Sequence, residues 1–226
     1  MKVYLVRHAQ SESNVDKTVH YRVADPDIGV SDEGMTQPDP AGEFLFKNLQ
    51  MDSPFPHVMM WQSPYKRTRM TGDILYPHIH DLVVDRRESV MLCEQSFGLF
   101  DGIPDEELPD KFPAEYAHYK KYEDSGMRFF APMPLGERRM DVALRVHQFF
   151  GTLQRDRQKH DIDTVVIVAH GVTIRAFVMQ WCHYDYEWFE AEPNPKNCSI
   201  RLIEGGEDKG YIFPGFPGPH TKPNWP

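Results

Sequence analysis

The sequence predicts an α/β domain: a three-layer, doubly wound, mostly parallel sheet with helices on both faces and a small lid inserted into it. Three observations carry that expectation. Short β-branched runs recur without polar alternation, as in strands buried on both faces. Helical stretches separate these runs, the alternation that builds parallel sheets. Two of the runs stop abruptly at a histidine, and such sheets bind ligands beyond the carboxyl ends of their strands.

The elements follow in chain order. "KVYLV" (2–6) is the first strand and "HVMMWQ" (57–62) the second. "YKRTRMTGDILY" (65–76) is a helix entered from Ser63-Pro64, with serine suited to a cap and proline to a first turn. "DLVVD" (81–85) is a further strand. Residues 103–134 are rich in charge, aromatics and proline without a strong period; they read as an insertion, helical around 115–122. Residues 137–156 place Met140, Ala143, Leu144, Val146, Phe150 and Leu153 near one face, a core-packing stripe. "TVVIVA" (164–169) is a central strand, 171–182 an apolar helix, and "SIRLIE" (199–204) a strand toward the sheet edge. Residues 1–204 therefore form one domain. Residues 205–226 are Gly- and Pro-rich and are expected as an extended tail. No internal repeat is present.

Length and charge narrow the functional classes. A chain of 226 residues suits one well-packed domain. A net charge of −9 argues against nucleic acid and anionic membranes as partners, so an anionic substrate must be drawn by a local Arg/His cluster. No window approaches the roughly 20 apolar residues of a membrane span, and "MKVYLV" is too short for a signal peptide. Cys93, Cys182 and Cys198 are scattered and contain no C-x-x-C pair. They support neither a disulfide framework nor a zinc ribbon, and a reducing cytoplasm is the expected compartment. The sequence is compatible with a homodimer.

The chemistry concentrates at strand ends. "LV" leads into Arg7-His8-Ala9, and "VA" into His170-Gly171-Val172. If the two strands are neighbours, both imidazoles face one site, beside backbone N–H groups and a helix dipole that attract anions. The rival use of paired histidines is a metal. It wants a third ligand and supporting acids, and the best proposal, His78-Ile79-His80, is expected in a loop without partners. Asn14, six residues after His8, can donate to a phosphate oxygen. Arg67, near the start of its helix, suits bidentate phosphate contact, whereas Lys66 and Arg69 read as a solvated face. A leaving alcohol needs a proton; Glu94 in "LCEQSFGLFDG" is the first candidate donor and Asp101 the second.

Collected in order, these segments resemble the histidine phosphatase superfamily, which includes the cofactor-dependent phosphoglycerate mutases. "RHAQSESN" is similar to the Arg-His-Gly-x-Ser-x-x-Asn signature, and "SPYKRTRMT" to Ser-Pro-x-x-Arg-x-x-x-Thr. "EQSFGLFDG", "PLGERRMDVALRV" and "AHGVTIR" resemble the remaining motifs, from Met1 to about Glu204. The resemblance implies that His8 is the nucleophile, that Arg7, Asn14, Arg67 and His170 hold phosphoryl oxygens with Gly171 and Val172 beside them, and that Glu94 is the general acid and base. It implies no metal and no cofactor. Ala9 replaces a usual Gly, Phe100-Asp101 a common Trp-Glu, and Arg138 a usual Ser.

The Trp-Arg-Arg-Ser stretch and Phe-Thr-Gly-Trp segment of the glycolytic mutases are missing, no segment of residues 103–134 resembles the one that carries their lid Lys, and "VHYRVADPD" stands in place of Phe-Thr-Gly-Trp. Without those anchors water is expected to capture the phosphoryl group. "GMRFFAPMPLGE" resembles the broad-range acid phosphatase branch. The expectation is a phosphatase acting on a small phosphomonoester or a phosphorylated side chain. The alternatives are phosphoglycerate mutase-type transfer and a non-catalytic phosphate-binding regulatory module.

Overall fold

The structure is a computed structural model that describes residues 1–52 and 56–218. Its strands are β1 (Lys2–Arg7), β2 (Val58–Gln62), β3 (Val83–Glu88), β4 (Thr164–Ala169), β5 (Ile200–Glu204) and β6 (Glu207–Phe213). They form one sheet in the order β3-β2-β4-β1-β5-β6. The first four in that order run parallel, and β5 and β6 are antiparallel to their neighbours. The helices are α1 (Glu12–Val15), α2 (Pro38–Asp52), α3 (Lys66–Ile79), α4 (Leu108–Lys111), α5 (Pro113–Asp124), α6 (Arg139–His160), α7 (Gly171–Cys182) and α8 (Tyr186–Ala191).

Side chains on a strand alternate between faces, so a sheet covered on both sides uses every residue. β4 does this. Val165, Ile167 and Ala169 pack with Val142, Val146, Phe149 and Leu153 of α6 and Ile174 and Phe177 of α7. Val166 and Val168 point the other way, toward Leu45 and Leu49 of α2 and Leu75 and Ile79 of α3. These are the three layers the sequence predicts. The insertion carries a small core, with Leu108, Tyr119 and Ala131 buried together against Phe100 just before it.

Three elements differ from expectation. Residues 38–52, not read as a helix, form α2; Pro38 and Pro40 occupy its first turn, where their missing N–H groups have no helical acceptor to lose. Residues 207–213, read as tail, form edge strand β6 instead. Gly205 and Gly206 take φ of 62° and 86° and turn the chain back two residues after β5, the geometry of a tight hairpin. Beyond it Phe216 bridges back to Asn197, and residues 219–226 of the expected tail lie outside the described residues. Strand β3 also runs later than expected, through Arg86, Arg87 and Glu88.

Candidate active site

Register brings the site together. Arg7 pairs with Ala169 across the parallel β1–β4 ladder, so His8 and His170 are the next residue on each strand. His8 N–H donates to Ala169 O at 3.0 Å, and the two ring centroids lie 5.2 Å apart. On the other side of β4, Gln62 pairs with Val168 and Ser63 N–H donates to Val168 O at 3.1 Å. That places Ser63 Oγ 2.9 Å from His170 Nε2. Ser63 is therefore not the cap of α3; Tyr65 holds that position and makes no side-chain cap bond.

His8 is 3% exposed. Its Nδ1 meets Ala9 O at 2.7 Å, and a carbonyl can only accept, so this nitrogen carries the proton and Nε2 keeps its lone pair. Burial, then the charges of Arg67 and Arg7, hold the His8 pKa well below its usual 6.5. The ring is neutral at physiological pH, the state a nucleophile requires. Burial and Arg67, His8 and Arg7 lower His170 in the same way. Its Nδ1 is buried with no partner among the described residues. In the tautomer where the Ser63 hydroxyl donates to Nε2, that Nδ1 carries the proton and is a donor.

Two cations flank the rings. Arg7 donates through Nη1 to Pro195 O, and its Nε is buried without a partner among the described residues. Burial lowers its pKa, and Glu94 partly offsets that effect. Arg67 is 4% exposed; its Cζ sits 4.9 Å from the Tyr65 ring centroid and its fork is held by Asp25. Asn14 is the third residue of α1, in a reciprocal cap with Ser11. Its Oδ1 accepts from Ser11 N–H at 3.1 Å and from Asn197 Nδ2 at 3.2 Å, which fixes the amide and leaves its own NH2 to donate.

Glu94 lies at the N-terminus of α7. Its Oε2 accepts from Val172 N–H at 3.4 Å, and its Oε1 accepts from Gln95 N–H at 3.1 Å and from the Thr173 hydroxyl at 3.4 Å. The loop carrying it is clamped by Arg145, which donates to Met91 O at 2.8 Å and Glu94 O at 3.1 Å while paired with Glu137. Asp101 instead faces His20 at 3.2 Å.

Asn197, a supporting residue, carries no signal in a local motif. Its Nδ2 reaches His8 O at 3.1 Å from a loop 189 residues away. Thr71, the last residue of the Ser-Pro-x-x-Arg-x-x-x-Thr motif, accepts from Ala9 N–H at 2.9 Å and donates to Arg67 O at 2.7 Å. The methyl of Ala9 is fully buried in the core beside Val6. Arg138 binds Asp141 as part of the cap of α6. His78 and His80 are not in a loop: His78 lies in the last turn of α3 and pairs with Asp39, and His80 caps that helix and pairs with Asp81. Among the described residues no group of three or more His, Cys, Asp or Glu side chains is placed to hold a metal ion. Nor is any described helix long and apolar enough to cross a membrane.

Comparison with known proteins agrees with this geometry. The chain is 34% identical over 221 residues to a phosphoglycerate mutase-like protein of Arabidopsis thaliana, covering 93% of this chain and 66% of that one. It is 35% identical over 122 residues to a broad-range acid phosphatase of Saccharomyces cerevisiae, covering 52% of this chain and 34% of the yeast protein. The fold matches a mycobacterial glucosyl-3-phosphoglycerate phosphatase solved with inorganic phosphate, with a TM-score of 0.67, 21% identity, and 90% and 89% of the two chains covered. The profile of the histidine phosphatase superfamily (branch 1) matches residues 3–213. With its paired strand-end imidazoles and flanking arginines, the chain belongs to the histidine phosphatase superfamily.

Proposed function

We propose that the protein hydrolyses phosphomonoesters without a metal, through a phosphohistidine on His8. The observation that carries this reading is the His8 ring: buried, neutral, anchored through Nδ1, and 5.2 Å from a second neutral imidazole. In the first step the Nε2 lone pair forms an N–P bond as the ester P–O bond breaks. The leaving oxygen takes a proton from the Glu94 carboxyl. In the second step water attacks phosphorus, Glu94 takes its proton, the N–P bond breaks and inorganic phosphate leaves. Arg7, Arg67, the Asn14 amide and His170 Nδ1 offset charge on the three phosphoryl oxygens, electrostatic work that a metal does in other phosphoryl-transfer sites.

The substrate class is a small phosphomonoester or a phosphorylated side chain. The absence of a Trp-Arg-Arg-Ser stretch from residues 103–134 favours water over a second alcohol as acceptor. Turnover of para-nitrophenyl phosphate in the presence of a chelator tests the activity, and His8→Ala is expected to abolish it. 3-Phosphoglycerate with a bisphosphoglycerate primer tests the acceptor: free phosphate is expected. Isomerised phosphoglycerate would instead assign a mutase, and phosphate binding without turnover a non-catalytic module.

A further inference from the structure

Arg67 is the strongest charged neighbour of both His8 and His170. Its backbone is fixed by the start of α3, but its side chain has several rotatable bonds, and none of its bonds runs to another side chain of α3. The contact that holds it comes from 42 residues upstream. Nη1 donates to Asp25 O at 2.8 Å and to Asp25 Oδ1 at 2.9 Å, and Nη2 donates to Asp25 Oδ2 at 3.2 Å. We propose that Asp25 is the positioning residue that aims Arg67 at the phosphoryl group, an inference that rests on the phosphatase reading above.

Donor arithmetic supports this. A guanidinium has five N–H groups in a rigid plane. Asp25 takes both Nη1 protons and one of Nη2, an end-on grip. The pair left over, Nε–H and the second Nη2–H, lies along one side edge and is itself bidentate for an oxyanion. The Tyr65 ring, 4.9 Å from Cζ, covers one face of the plane. The turn bearing Asp25 is itself anchored: Asp27 N–H donates to Ala24 O at 2.8 Å, Ile28 is fully buried, and Gly29 O accepts from Glu12 N–H at 3.0 Å. Asp25 thus ties the segment after the first motif to the second motif through its carboxylate and its backbone carbonyl.

The rival role for this carboxylate is a stand-in for phosphate that substrate must displace. The two roles predict opposite signs for phosphate affinity. Inorganic phosphate is measured as a competitive inhibitor of para-nitrophenyl phosphate hydrolysis, and by calorimetric titration, for wild type, Asp25→Asn and Asp25→Ala. Positioning predicts that phosphate binding weakens roughly tenfold in Asp25→Ala and that kcat/KM falls about 10- to 100-fold, with smaller losses in Asp25→Asn, which keeps one acceptor. In an Arg67→Ala background, Asp25→Asn changes neither quantity further. Tighter phosphate binding in Asp25→Asn would overturn the proposal in favour of displacement. Unchanged phosphate binding and kcat/KM with a lowered Tm would reduce Asp25 to a structural tie. If Asp25→Ala does not fold, the near-isosteric Asp25→Asn decides alone. A wild-type protein without turnover that still binds phosphate would refute the phosphatase reading while the titration continued to report on Asp25. No phosphate binding by wild type would overturn both.

Discussion

Two neutral imidazoles buried between two guanidinium groups make stability depend on pH in a calculable way. Both His8 and His170 have folded-state pKa values well below 6.5. Below that pH the unfolded chain binds protons that the folded chain refuses, so stability falls as pH drops and is flat above it. The limiting slope is about 1.4 kcal/mol per pH unit for each ring. Between pH 8 and pH 5 the limiting loss approaches about 2 kcal/mol per ring, or about 4 for the pair. The carboxylates held below their ordinary values by ion pairs, such as Glu88 and Asp141, act in another window: their contribution is present above about pH 4.5 and is lost below it. The assay is urea unfolding at pH 5, 6, 7 and 8 in phosphate-free buffer, for wild type and the His8→Asn/His170→Asn double variant. The remaining histidines are common to both proteins and cancel. The variant is expected to lose less than wild type across this range, by up to about 4 kcal/mol. Equal pH dependence would refute the assignment of neutral, desolvated rings.

Three further outcomes are expected. Glu94→Gln slows alkyl phosphate hydrolysis by about 10²- to 10⁴-fold but para-nitrophenyl phosphate far less, since that leaving group needs little protonation; equal slowing in steady-state kinetics would point to another acid. Arg145→Ala releases the loop that carries Glu94, so it is expected to reproduce the same leaving-group pattern in weaker form while inhibition by phosphate stays unchanged. Gly98→Ala places a methyl 2.0 Å from Pro134 O at a residue with φ of 58°, and strain plus overpacking at the base of the insertion is expected to cost about 2–5 kcal/mol in urea unfolding.

Strand ends were the most legible part of this sequence. An apolar β-branched run that stops in Arg-His or His-Gly has few structural readings, and two such runs in one parallel sheet converge by register alone. Asn14 was readable from its six-residue step after His8, but the short capped helix that holds it was not. Punctuation residues misled. Pro38, Pro40 and Gly42 mask the amphipathic run Leu45–Leu49 of α2, and Gly205-Gly206 reads as the start of a tail when it is the turn of a hairpin. Ser63 had the composition of a cap, but its hydroxyl is committed to His170. Asn197, Arg145 and Asp25 were beyond reach for a simpler reason. Each acts across 42 or more residues of chain, and such pairings exist only once the sheet has formed.

The central claim is a covalent bond between phosphorus and one ring nitrogen. Wild-type protein is mixed briefly with a ³²P-labelled phosphomonoester, denatured in alkali and digested, and the labelled peptide is identified. The account predicts an acid-labile, alkali-stable label on the N-terminal peptide containing His8, lost in His8→Ala. Turnover with no trapped label under single-turnover conditions, or label carried by the peptide containing His170, would contradict it.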